Sequence, residues 1–359
     1  MFIQMQIFSC CILLLAATQA GAFEAPPLTP EEARAAAADY QKYCALCHGP
    51  DRAGHANDDA PSLRSKTLMR TGFPEFLLFT VAYGRRGTPM GAYFEEVGGP
   101  MNNDELYRLV RWLKEQVAVE SIDLPPDPIS GDIEKGRTIY ASECANCHGD
   151  DGQGYIGPAI GNPAFLALAS DAFLRYTIEH GRDGTAMQGF GELLSPADLD
   201  AVTAFLRSRE THWEHTKPVL QKPPTADQYV LNPSATAPDF QLQDGVYVMA
   251  KDLNQALQEK RRIVVLDTRV TSMWQIAHIE GAVPIPYYHD GIEGLAKNLP
   301  TDGTWIVSYC ECPRAAAESV TRKLRAAGFE NTAVLYEGIQ GWISLGYPVF
   351  VGQLAKAED

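Results

Sequence analysis

Apolar positions recur with helical spacing through the first two thirds of the chain and gather into short continuous runs in the last third. Leu106, Leu109, Val110 and Leu113 fall on one face of a helix, and Leu199, Val202, Phe205 and Leu206 do the same about ninety positions later. Asn103 and Ser195 are read as the N-caps of these two helices. Two earlier stretches, Glu31 to Tyr43 and Ile133 to Glu143, also read as helices. Thr29-Pro30-Glu31-Glu32 opens the first with an N-cap residue, a proline at the first helical position and a glutamate at the third. Beyond residue 238 the period changes. Ile263-Val264-Val265-Leu266 is a continuous apolar run of the kind a parallel strand, buried on both faces, requires. Ala282–Ile285, Trp305–Tyr309 and Thr332–Leu335 are three more strands. A helix from Arg314 to Ala327 follows the third of the four and stops at Gly328, and Gly341-Trp342 begins another.

The helical part contains a repeat. Cys44-Ala45-Leu46-Cys47-His48 returns as Cys144-Ala145-Asn146-Cys147-His148, 100 positions on. Gly84-Arg85-Arg86-Gly87-Thr88-Pro89-Met90 returns as Gly181-Arg182-Asp183-Gly184-Thr185-Ala186-Met187. Pro61 lies 29 residues before Met90, and Pro158 lies 29 before Met187, so the three-residue difference in length falls wholly between His and Pro. Matched internal spacing argues for two copies of one small domain. A few short helices and long loops make a poor core at roughly 80–90 residues. A large apolar cofactor at the centre would complete it.

Each copy offers the means to hold one. In C-x-x-C-H the two thiols can reach the vinyl groups of a single haem, and the histidine can sit beneath the iron. A zinc site would need two further ligands close by, and neither copy supplies them. A thioredoxin-like C-x-x-C would precede a helix, whereas these follow one. A disulfide would leave the histidine without a role. His48 and His148 are therefore expected as proximal ligands, with Cys44, Cys47, Cys144 and Cys147 as attachment points. Met90 and Met187, in register within matching turns, are expected as distal ligands. His55, Met69 and Met101 in the first copy and His180 in the second are rivals, none with a partner at the equivalent position. His/Met ligation fills both axial positions and suits electron transfer. Pro61 and Pro158 are expected to orient the histidine rings through their carbonyls, and Arg85 and Arg182 to meet the haem propionates.

On these motifs, residues 30–118 and 128–210 resemble two class I cytochrome c domains of periplasmic dihaem cytochromes. The resemblance implies an all-α fold, two covalently bound haem c groups and one-electron transfer with redox partner proteins.

The last third is of another kind. Residues 216–238 are rich in proline and read as a stiff linker. The strand Trp305–Tyr309 runs into Cys310 just before a helix N-terminus, a place where backbone N–H groups lower thiol pKa and hold anions. Asp267-Thr268-Arg269, Ala277-His278-Ile279-Glu280-Gly281-Ala282, Tyr309-Cys310, Glu337-Gly338-Ile339-Gln340-Gly341-Trp342 and Gly346-Tyr347-Pro348-Val349 together resemble a rhodanese domain over nearly all of residues 240–352. That family implies an α/β fold with a central parallel sheet and a cysteine that carries sulfur as a persulfide. Cys310 falls on the catalytic position. The loop Cys310-Glu311-Cys312-Pro313-Arg314-Ala315 departs from the family's Cys-Arg-x-Gly-x-Arg/Thr. Its glycine is absent, Pro313 has no N–H to donate, and Glu311 puts an anion beside the thiol, opposing thiolate formation and anionic donors. Cys312 supplies a second thiol able to resolve a persulfide or form a disulfide with Cys310. Cys310, Cys312 and Arg314 are the expected catalytic set.

The expected organisation is thus multidomain. A signal peptide at 1–22 precedes cytochrome c domains at 23–122 and 126–213. A proline-rich linker at 214–238 then leads to an α/β rhodanese-like domain at 239–359. Residues 1–22 hold an apolar run too short to span a bilayer and end in Ala20-Gly21-Ala22, a small-residue cleavage pattern, although no Lys or Arg precedes the run. Export to the periplasm follows, with membrane attachment only if the segment is retained. Thirty Lys and Arg against 45 Asp and Glu give a net charge of −15, the wrong sign for a nucleic-acid partner. Two functions remain open. The chain is either a redox protein for small sulfur compounds, with the haems carrying electrons from Cys310, or a plain electron carrier whose third domain only docks or senses. A Cys-x-Cys site for a soft ion such as Cu(I) is a weaker third.

Overall fold

The computed structural model describes residues 26–72, 74–213, 217–289, 294, 297–311 and 315–354. The expected signal peptide lies outside the described residues. Among them, no helix is long and apolar enough to cross a membrane.

The helical region is built twice on one plan. In the first copy α1 (Pro30–Tyr43) runs into the short turn α2 (Ala45–His48), followed by α3 (Lys66–Thr71), α4 (Pro74–Tyr83) and α5 (Asn103–Glu115). In the second, α6 (Ile133–Glu143) runs into α7 (Ala145–His148), then α8 (Pro163–Leu168), α9 (Asp171–His180) and α10 (Pro196–Arg207). Thr29 closes the expected capping box with Glu32, and Ser195 caps α10 as expected. The cap of α5 is Asn102 rather than Asn103, because the Asn102 side chain accepts from the Glu105 amide and Glu105 answers with its own carboxylate. The first and last helices of each copy cross closely. A Cβ at Gly136 would lie 2.1 Å from the Ala201 carbonyl, and Ala36, fully buried, occupies the equivalent position in α1. Tyr40 donates to the Gly49 carbonyl at 2.6 Å and Tyr140 to the Gly149 carbonyl at 2.8 Å, so the likeness extends to buried polar contacts.

The two copies share one apolar core. Phe76 packs on Phe173 with ring centroids 4.7 Å apart, and on Phe165 at 6.0 Å. Asp183 of the second copy caps α3 of the first. It accepts from the Thr67 amide at 2.8 Å, the Lys66 amide at 3.0 Å and the Ser65 hydroxyl at 2.9 Å.

The C-terminal region is α/β. Its five-stranded sheet has the order β1 (Tyr247–Val248), β6 (Thr332–Leu335), β5 (Trp305–Tyr309), β2 (Ile263–Asp267), β4 (Val283–Pro284), with every pair parallel. β3 (Ala277–Ile279) pairs antiparallel with β7 (Val349–Val351). β2 and β6 are buried at every position, as their unbroken apolar runs require. Helices α11 (Ala250–Gln258), α12 (Thr271–Ile276), α13 (Ala315–Ala326) and α14 (Gly338–Ser344) connect the strands. The strand expected at Ala282–Ile285 is only two residues long, since Pro284 ends its pairing. The helix expected from Gly341 begins at Gly338, three residues earlier. There Gly338 takes φ +62°, and a Cβ would lie 2.5 Å from the Glu311 carbonyl. The proline-rich segment lies along this region: Gln221 and Gln275 exchange hydrogen bonds, and Leu231 bridges to Ile263.

Burial works against the Asp183 carboxylate, but the amides of Thr67 and Lys66 and the hydroxyls of Ser65 and Thr67 hold its pKa at about 2. An unfolded carboxylate titrates near 4. The contact is therefore fully present above pH 4 and lost as pH falls toward 2. Asp183→Ala is expected to cost about 1 kcal/mol at neutral pH, the usual worth of a helix cap. Denaturant titrations at pH 7 and pH 2.5 check this, since the difference between variant and parent should shrink at the lower pH.

Candidate haem and thiol sites

Each C-x-x-C-H motif sits where a long helix hands over to a single turn. Cys44 is the C-cap of α1 and Cys144 that of α6, and the histidine amides return to their carbonyls at 3.0 Å in both copies. The histidine rings are oriented alike. His48 Nδ1 lies 2.8 Å from the Pro61 carbonyl and His148 Nδ1 lies 2.9 Å from the Pro158 carbonyl. A ring that donates through Nδ1 presents a bare Nε2 to a metal. Burial also lowers both histidine pKa values, which keeps the rings neutral.

The methionine loops match atom for atom. The Arg85 amide donates to the Met90 carbonyl at 2.7 Å, and the Arg182 amide to the Met187 carbonyl at 2.8 Å. The Thr88 and Thr185 hydroxyls donate to the carbonyls of Arg85 and Arg182, both at 2.7 Å. Met90 and Met187 are half-buried against the shared core. Of the rivals, Met69 and Met101 are wholly buried in that core, while His55 and His180 face solvent.

The two arginines supply the test of fit. Arg85 stacks over Phe165 and Arg182 over Phe173, with 4.9 and 5.0 Å from guanidinium to ring centre. Arg85 Nε and Arg182 Nη1 are buried without a hydrogen-bond partner among the described residues. Burial alone lowers Arg85 to about 10; it lowers Arg182 equally, with Asp183 opposing and the charge of Arg85 adding to the fall. Two half-buried cations near each other, each with a buried N–H group left unsatisfied, are costly unless anions join them. Haem propionates are such anions, so the residues suit the group. When bound, haem c supplies a one-electron couple at each site.

Cys310 ends β5 at the carboxyl edge of the sheet, between β2 and β6, where open α/β sheets place their sites. It is 4% exposed. The Ala316 and Ala317 amides, at the start of α13, donate to its sulfur. Burial nevertheless dominates and pushes the thiol well up, with the carboxylates of Asp58 and Glu311 adding to it. Glu311 was expected to be the chief anion beside the thiol. It is instead drawn into a buried network. Arg269 Nη1 lies 2.9 Å from Glu311, Gln340 donates to Glu311 at 2.7 Å, and Arg269 also pairs with Asp267 at 2.6 Å. Asp58, from the first cytochrome copy, is the charge that bears most on the thiol. Cys312 and Arg314 lie outside the described residues.

The thiol does not face solvent but the first C-x-x-C-H. Leu46, between Cys44 and Cys47, packs against the cluster that contains Cys310, and Tyr287 joins them. The Tyr287 hydroxyl reaches the Tyr43 carbonyl and lies 2.8 Å from the Tyr93 hydroxyl. Ser272 donates to the Ala92 carbonyl at 2.6 Å, and Lys217 pairs with Glu96 at 2.8 Å. In the second copy the equivalent of Leu46 is Asn146, which is exposed.

Comparisons with known proteins agree with this architecture. Residues 31–113 and 131–206 match the family described as cytochrome c oxidase, cbb3-type, subunit III, and residues 249–345 match the rhodanese-like domain. The chain therefore joins a cytochrome c region in two segments to a C-terminal rhodanese-like domain, and its cytochrome c region implies covalent haem c. It is 29% identical to the cbb3-type cytochrome c oxidase subunit CcoP of Rhodobacter capsulatus over 54% of this chain and 68% of that protein. It is 34% identical to the probable adenylyltransferase/sulfurtransferase MoeZ of Mycobacterium tuberculosis over 30% of this chain and 27% of that protein. A crystal structure of thiosulfate sulfurtransferase from Pseudomonas aeruginosa covers 32% of this chain and 22% of its own, at 22% identity and a TM-score of 0.26, too low to carry an argument.

Removing Arg269 would leave Asp267, fully buried, and Glu311 without their cation. Arg269→Met is expected to destabilise the α/β region by about 3–5 kcal/mol, the usual cost of stranding a buried charge. Urea unfolding followed by tryptophan fluorescence measures it.

Proposed function

We propose that this chain is an exported dihaem c-type electron carrier whose rhodanese-like cysteine accepts sulfur from small sulfur compounds and passes electrons to the first haem site. Cys44 and Cys47 attach one haem and Cys144 and Cys147 the other. His48 with Met90, and His148 with Met187, hold the two irons, and Arg85 and Arg182 meet the propionates. Cys310 carries the sulfur, with Cys312 and Arg314 in the adjoining loop. Soluble or membrane-bound redox proteins deliver or remove the electrons at the cytochrome surface, and small sulfur compounds meet Cys310.

The observation that carries this reading is the packing of Leu46, inside the first haem motif, against the Cys310 cluster. A docking or sensing domain has no need to bury its catalytic-position thiol against a redox centre. A domain that passes electrons does, because tunnelling needs short, packed, water-free separations. Arg85 and Arg182 lie close enough for one charge to bear on the other, so anions such as haem propionates would answer both.

The test is anaerobic. The oxidised, haem-loaded protein is mixed with thiosulfate, sulfide or glutathione persulfide while the reduced haem α band is followed, with Cys310→Ser as control. Reduction by at least one donor is expected in the parent and not in the variant. Equal reduction in both, or in neither, would leave a plain electron carrier with an inactive third domain. Separately, Met187→Ala is expected to remove one low-spin His/Met signal and lower the potential of one haem. Cys144→Ser with Cys147→Ser should leave one covalent haem per chain by mass spectrometry.

A further inference from the structure

Between the histidine and the methionine the two cytochrome copies differ in length in one stretch, and in the first copy that stretch carries a charge that bears on Cys310. From His48 to the Pro61 carbonyl it holds is 13 positions, and from His148 to Pro158 it is 10. In both copies the glycine amide six residues past the histidine returns to the histidine carbonyl at 2.8 Å, so the extra residues lie between Gly54 and Pro61. That loop is folded against preference: His55, Asp58 and Asp59 all take left-handed φ, at 52°, 57° and 48°. Asn57 pins it down by donating to the Leu46 carbonyl at 2.6 Å. The outcome is that Asp58 is brought onto the haem motif, with Oδ2 3.5 Å from Cys47 Sγ.

The carboxylate is not there to satisfy a local donor. Asp58 Oδ1 is buried and has no hydrogen-bond partner among the described residues. The donor to Oδ2 is the Cys47 thiol, whose hydrogen is consumed when that sulfur forms a thioether. In the haem-loaded protein neither oxygen then has a donor among the described residues, and the Asp58 charge bears on the Cys310 thiol. The other anions nearby have partners. Glu311 is held by Arg269 and Gln340, and Glu318 accepts from the Tyr247 hydroxyl at 2.6 Å.

We propose that Asp58 is the proton acceptor for Cys310, and that its charge makes the thiol take neutral or cationic sulfur donors and reject anionic ones. The inference rests on the reading that Cys310 carries sulfur. The Cys310 proton passes to the Asp58 carboxylate. The thiolate attacks the outer sulfur of a neutral hydropersulfide R–S–S–H, the new S–S bond forms as the old one breaks, and the leaving thiolate RS⁻ takes the proton back from Asp58. The products are Cys310–S–S–H and R–S–H, with no net change of charge or oxidation level. A thiosulfate dianion would meet the repelling charge of Asp58.

The experiment uses full-length, haem-loaded protein carrying Cys312→Ser, so that Cys310 is the reporter thiol. Its modification by the cationic 2-aminoethyl and the anionic 2-sulfonatoethyl methanethiosulfonates is timed by peptide mass spectrometry. The cation is expected to react about tenfold faster or more. Asp58→Asn should bring the ratio near one and slow the reaction with the neutral methyl reagent. Asp58→Glu should restore the preference. Covalent haem content and the α band confirm that the variants fold. A ratio unchanged in Asp58→Asn, a parent preference for the anion, or a Cys310 that no reagent reaches would each overturn the proposal. Failure of the haem-reduction experiment with the charge preference intact would instead overturn the coupling to haem and leave this site standing.

Discussion

Leu46 occupies a position that cytochrome chemistry leaves free, the middle of a C-x-x-C pair, and its surroundings organise the rest of the molecule. It packs against the cluster of Cys310, Ala316, Ala317 and Val334, as Tyr287 also does. Full burial of a leucine is worth about 1.5–3 kcal/mol, and half-buried Leu46 gains part of that. More important is what else must then be close: the backbone of a haem motif, a nucleophile position and the strand edge that presents it. Tyr287 ties the same point with a hydroxyl shared between Tyr93 and the Tyr43 carbonyl. Burial lifts both phenols well above their ordinary pKa, so they stay protonated and act as hydrogen-bond bridges.

Duplication explains why one copy could be specialised without loss of the other. The histidine, methionine and arginine loops are the same to within about a tenth of an ångström in their hydrogen bonds. The surfaces around them diverge. Leu46 is covered where Asn146 is wet, and the longer loop of the first copy carries Asp58 where the second has only Tyr155, Ile156 and Gly157 between the equivalent glycine and proline. An apolar residue and an insertion at the same edge of the same copy mark the face that meets the third domain.

Much of this was legible in the chain. Equal spacing from proline to methionine in both copies exposed the repeat, and its turns carried Met90 and Met187 to matching places. The four main strands followed from continuous apolar runs because parallel strands are buried on both faces. Boundaries slipped where two neighbours could do the same job. Asn102 and Asn103 are equally good caps by type, and only the Glu105 partner distinguishes them. The start of α14 was hidden because Gly338 reads as a turn, whereas its left-handed backbone lets the Ile339 amide reach the Cys310 carbonyl. The docking of the third domain left no periodic trace, since contacts between distant segments depend on shape and not on spacing. The three-residue excess was visible, yet its purpose depends on what lies opposite.

The charge around Cys310 is where sequence and structure part most instructively. Read along the chain, Glu311 is the anion next to the thiol. In three dimensions its side chain belongs to Arg269, and the larger acidic influence comes from a residue about 250 positions away. The distinction matters because the two carboxylates differ in freedom. One whose charge is answered by a buried guanidinium cannot take a proton without breaking that pair. One with an unpartnered oxygen can. A buried thiol opposed by desolvation needs a base that is close, unpaired and itself shielded from water. Of the two, Asp58 has the buried oxygen without a partner among the described residues, and it rests on the haem motif that packs against the Cys310 cluster.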